Sequence, residues 1–123
     1  MRILRSVKHK YCADGSFMKE YLLSEPATEE FFKYLAVFGK SESLPGVGGG
    51  FLKFEKPDFF SIKGFAGECS VEVRFKKEVM DMTSDFLFFL FSSYKTGEEA
   101  DLTALKRREK SVEEKVRIHL YGN

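Results

Sequence analysis

Over residues 68–91 the chain changes its hydrophobic period. Cys69, Val71, Val73 and Phe75 alternate with Ser70, Glu72 and Arg74, the period-2 pattern of a strand with one buried face. Past Lys76-Lys77-Glu78 the alternation stops, and Val79, Met82, Phe86, Leu90 and Tyr94 fall at helical spacing, which predicts a helix over 79–94. Phe88, Phe89 and Phe91 lie off that stripe. The run 86–91 is also short enough to be a doubly buried strand, because a short apolar run does not declare its period.

The same reading extends along the rest of the chain. Residues 2–11 read as a strand with Ile3, Val7 and Tyr11 on one side, followed by Asp14-Gly15, a dipeptide suited to a hairpin turn. Residues 17–23 read as the return strand or a short helix. Thr28 is placed to cap a helix whose first turn carries Glu29 and Glu30, complementing the helix dipole. Phe31, Leu35 and Phe38 share its inner face, and Gly39 is expected to end it. Residues 40–50 read as a loop, 51–55 and 59–63 as short strands, and 97–108 as a helical segment with Leu102 and Leu105 facing in. Val116, Ile118 and Leu120 alternate with Arg117, His119 and Tyr121, which predicts a closing strand.

These elements make a single α+β domain over 1–123, a mostly antiparallel sheet with helices on one face. Their order resembles a ferredoxin-like β-α-β-β-α-β plan with an added N-terminal hairpin and an extra short helix; an unrelated α+β arrangement is the competing reading.

Composition narrows the possible roles. With 123 residues the chain can build a core without disulfides or metals, and 14 phenylalanines supply much of it. Twenty Lys and Arg against 19 Asp and Glu leave no overall field to attract nucleic acid or an anionic membrane. The basic cluster Arg2, Arg5, Lys8 and Lys10 reads as an edge guard. There is no glutamine, and Asn123 is the single asparagine, a depletion expected of a thermophile protein. Residues 1–10 lack an apolar leader core and the longest apolar run is too short for a bilayer, so the expectation is a cytoplasmic protein with no membrane partner. Cys12 and Cys69 are too few for a disulfide framework or a cysteine metal site, and Cys69 is expected to be buried on its strand.

Few motifs carry chemistry. Gly46-Val47-Gly48-Gly49 fits a GxxG pattern, and glycine backbone can cradle a phosphate, but a phosphate loop leads from strand into helix, whereas a strand follows here. Gly39-Lys40-Ser41 imitates the end of a Walker A loop, yet Tyr34 stands where its first glycine belongs. Lys63-Gly64-Phe65-Ala66 matches the opening of an RNA-recognition signature; Gly67, Glu68 and Ser70 then replace its stacking and apolar residues. His9 and Cys12 fall on opposite faces of a regular strand. Asp81 and Asp85 would share a helix face, as solvated or dipole-compensating acids.

The leading expectation is therefore a self-associating binding or regulatory module without catalysis, cofactor or metal of its own. The apolar excess suggests a homo-oligomer, or a module for another protein, with the contact on the open sheet face or on the helix around Phe86, Phe88, Phe89 and Phe91. A small-molecule protein or enzyme is the alternative, with loop 40–50 closing over an anionic ligand held by Lys40, Gly46, Gly48, Gly49, Gly50 and Lys53. RNA binding ranks third, and nucleic acid is disfavoured as a partner.

Overall fold

The computed structural model describes residues 1–46 and 49–122. Val47, Gly48 and Asn123 lie outside the described residues. Six strands form one sheet: β1 (Ile3–Tyr11), β2 (Ser16–Leu23), β3 (Lys40–Leu44), β4 (Phe51–Lys56), β5 (Phe60–Phe65) and β6 (Ser70–Lys76). Their order is β1-β2-β6-β5-β4-β3, and every neighbouring pair is antiparallel. Three helices complete the α+β fold: α1 (Glu29–Leu35), α2 (Met80–Ser92) and α3 (Leu102–Tyr121). The helices lie over one face of the sheet, as alternation along the strands requires.

The core forms where that alternation meets the helical stripes. Leu52 and Phe54 on β4, Phe60 and Ile62 on β5, Val71, Val73 and Phe75 on β6, and Tyr21 on β2 are buried beneath the helices. From above, Phe31 packs its ring edge against Phe91 at 4.8 Å and Tyr94 at 4.9 Å, while Phe59 meets Phe86 at 5.8 Å. Edge-to-face geometry places the positive ring rim of one residue on the negative face of the next. Ten of the 14 phenylalanines are buried, nine of them in this core. Each contributes roughly 1.5–3 kcal/mol through surface removed from water. Phe54, Phe59 and Phe60 are thus absorbed by the chain's own core. Residues 86–91 are helical.

Thr28 caps α1, its hydroxyl oxygen accepting the Phe31 N–H at 3.0 Å. Gly39 does not end that helix, which closes at Ala36. Its role is close approach: a Cβ at residue 39 would stand 2.5 Å from the Glu55 carbonyl oxygen and 2.7 Å from the Phe54 ring.

Two further expectations are corrected. Part of the predicted loop, residues 40–44, is β3, a polar edge strand paired in register with β4. The closing strand at 116–120 is instead the end of α3, a helix capped by Asp101, whose Oδ1 accepts N–H bonds from Thr103 and Ala104. Leu105, Glu109, Val112 and Val116 form its buried stripe, while Ile118 is 50% exposed. Helical spacing therefore prevails over the apparent alternation.

Candidate interaction face

Because all three helices sit on one side, no element among the described residues forms a layer over the other face of the six-stranded sheet. The register fixes which side chains share this face. Glu42 pairs with Lys53, Lys53 with Lys63, Lys63 with Glu72, Glu72 with Glu20, and Glu20 with Lys8. One continuous charged row therefore crosses all six strands. Beside it runs a more apolar row holding Leu44, Phe51 and Phe65, with Leu22 further along. Phe51 and Phe65 meet edge to face at 5.5 Å.

Within the charged row, two neighbouring couples have like sign: Lys53 beside Lys63, and Glu72 beside Glu20. Like charges directly opposite on adjacent strands destabilise the pair. Glu72 draws Arg74 Nε to 3.4 Å along its own strand. Among the described residues, Lys53, Lys63 and Glu20 make no ion pair within 4.0 Å. A shallow depression of about 310 Å³ opens where the rows meet, lined by Phe51, Phe65, Lys63, Glu20, Glu68 and Glu72 among others. It combines an aromatic wall with charges of both signs.

The sheet edges offer less. β1 is exposed along most of its length, but register shifts between Ile3 and Arg5 and between Ser6 and Lys8 interrupt its ladder. Bulges and lysines of this kind hinder strand addition. At the other edge β3 has only five residues.

The residues expected to hold an anion are distributed over this face and its adjoining turn. Lys40, Glu42, Lys53 and Glu55 form a shallow patch of alternating charge, with Lys40 Nζ 3.4 Å from Glu42. Gly46, Gly49 and Gly50 have φ of 89°, 90° and 124°, conformations that glycine adopts without steric cost, and they connect β3 to β4. Gly48 lies outside the described residues. The connection leads into a strand.

Of the expected interface phenylalanines, Phe86 and Phe91 are fully buried and have no surface for a partner to cover. Phe88 is 43% exposed, its ring 5.7 Å from Tyr21. Phe89 is half-buried with the Arg108 guanidinium 5.0 Å over its ring. Both belong to the helical side of the molecule.

The remaining candidates do not assemble. Cys69 is exposed, contrary to expectation, because it lies in the turn before β6, where its carbonyl accepts the Leu23 N–H. Cys12 opens the β1–β2 turn, while His9 stands 5.9 Å from the Phe17 ring. His119, Asp81 and Asp85 are exposed on helices. Among the described residues no three His, Cys, Asp or Glu side chains cluster as a metal site, and no helix is long and apolar enough to cross a membrane.

Sequence periodicity missed a buried cluster on the opposite side. Lys56 is 7% exposed at the end of β4. Its ammonium donates to Glu109 Oε2 and Glu113 Oε2, each at 2.8 Å, and to the Phe38 carbonyl at 3.3 Å. Lys106 donates to the other oxygen of Glu109 at 3.0 Å and to the Val37 carbonyl at 2.7 Å. Every buried charge has a partner, so this cluster fastens α3 to β4 and to the end of α1. Only the helical position of Glu109, one turn from Leu105 and Val112, could have signalled it. Comparison with protein-family models, curated proteins and solved structures finds no match for this chain.

Proposed function

We propose that this protein is a non-catalytic binding module that acts by self-association through the open face of its sheet. The observation that supports this reading is a six-stranded face with no covering layer, on which Phe51, Phe65 and Leu22 stand beside unpaired charges. An apolar group rimmed by polar residues marks interaction surfaces, and a second copy of the chain is always available as a partner.

Sedimentation velocity on the full chain over a broad concentration range tests the proposal. A reversible shift from monomer to dimer with increasing concentration is expected. A species that stays monomeric at every concentration, including the highest soluble one, would overturn it.

A further inference from the structure

The charged row has an antisymmetry that specifies how two copies would meet. Read across the strands from β3 to β1, Glu42, Lys53, Lys63, Glu72, Glu20 and Lys8 carry the signs −, +, +, −, −, +. Read in the reverse direction, the signs are +, −, −, +, +, −, opposite at every position. A twofold axis lying in the interface, parallel to the strands and between β5 and β6, superposes the row on its own reverse.

We infer that two copies of the chain stack open face to open face about this axis. Lys53 and Lys63 of one copy then oppose Glu20 and Glu72 of the other, and Glu42 opposes Lys8. The inference rests on self-association through the open face and adds its orientation and register. The two like-charged couples, unfavourable in an isolated chain, become each other's counterions. In the neighbouring row Phe51 faces Leu22 and Phe65 faces Ser70 across the axis, with Leu44 opposite Arg5, while in the row on the other side Lys40 faces Lys10. The pairs select register and exclude other arrangements, while burial of the apolar row supplies attraction.

The dimensions suit a modest interface. Six strands at about 4.8 Å spacing, each about six residues deep, present a face of about 600 Å² per copy. Two copies would then bury about 1,200 Å², the lower end of the range for specific association. A reversible dimer follows, one that weakens as salt screens its outer pairs.

Reciprocal charge reversal tests the arrangement. The variant K53E/K63E and the variant E20K/E72K each place like charges opposite one another in the twofold stack. Each is expected to raise the dimer dissociation constant by about tenfold or more, since 1.4 kcal/mol of repulsion already amounts to a factor of ten. Mixed in equal amounts, the two variants regain opposite signs at all six positions of the row. They are expected to form a heterodimer about as tight as the wild-type dimer, visible by native mass spectrometry when one variant is uniformly labelled with nitrogen-15. Circular dichroism confirms that each variant is folded; the single substitutions K53E and E20K give the same mixing test if a double variant does not fold.

Folded variants that self-associate like the wild type, or that fail to pair when mixed, would overturn the stacking while leaving self-association through another surface standing. A wild-type chain that never dimerises would remove the underlying reading together with the inference.

Discussion

At the residue scale, buried polar groups separate those that are satisfied from those that are not. Tyr21 is 2% exposed, and its hydroxyl has no hydrogen-bond partner among the described residues. Burial alone pushes its pKa up to about 12. Tyr34 is pushed up in the same direction by burial, although its hydroxyl donates to the Leu90 carbonyl at 2.6 Å. The sign of the pH dependence follows from linkage. Above the ordinary tyrosine pKa of about 10, the unfolded chain releases protons that the folded chain keeps, so stability falls as pH rises. Urea unfolding at a series of pH values should show this loss beginning near pH 10 and continuing through the folded pKa of Tyr21. Tyr21→Phe removes an unsatisfied buried hydroxyl and should stabilise the protein by about 1–3 kcal/mol at neutral pH. It should also flatten the alkaline decline.

Lys56 is the opposite case, a buried charge whose hydrogen bonds are all made. Removing one member of such a cluster strands the others. Lys56→Ala should cost up to about 3 kcal/mol because Glu109 stays charged and buried with Lys106 as its remaining partner. The double variant K56M/E109L replaces the buried pair with apolar groups and should recover most of that stability. A double-mutant cycle by thermal or urea unfolding reads the difference. Equal losses in the single and double variants would show that the ion pair is not what Lys56 supplies.

At the element scale, α3 is where tertiary demands and sequence pattern diverge most. Val116, Ile118 and Leu120 fit a strand period, but Val112, Val116 and Leu120 fit a helix equally well, and three apolar residues cannot choose between them. The decision comes from further away. Asp101 provides the cap, and Glu109 lies on the inward stripe because Lys56, 53 residues earlier, is there to receive it. Proline at exposed position 114 should therefore cost about 3 kcal/mol or more by breaking the helix interior. Circular dichroism should register the accompanying loss of helical signal; an unchanged helical signal would return residues 110–121 to a non-helical state. The strands β1, β4, β5 and β6 and helix α1 were legible from period, cap and turn residues, whereas β2 and α2 were each legible only as one of two readings, strand or helix. β3 was not, since its Lys-Ser-Glu-Ser sequence has no apolar alternation and its strand state comes from pairing with β4. Cys69 was misplaced by a single residue of strand length, enough to carry a thiol from core to surface.

At the scale of the whole molecule, the exposed Phe88 and the half-buried Phe65 compete as contact surfaces, and the sheet separates them. Phe88 lies on the helical side, where its ring already packs against Tyr21 and extends the core. Phe65 lies on the open face beside Phe51, in a layer with nothing above it. The sequence could identify Phe88 as a surplus phenylalanine but could not assign it to a side, because that assignment depends on the strand register and on all three helices choosing one face. If association uses the open face, Phe65→Glu should shift the chain to monomer by placing a desolvated charge at the contact, whereas Phe88→Glu should leave the dimer intact and reduce only the stability of the fold. Raising salt should weaken the wild-type dimer in the same experiment, because screening acts on the charged row while leaving the aromatic packing in place. Sedimentation velocity on the two folded variants distinguishes the surfaces directly. A monomeric Phe88→Glu variant with a dimeric Phe65→Glu variant would move the contact from the sheet to α2.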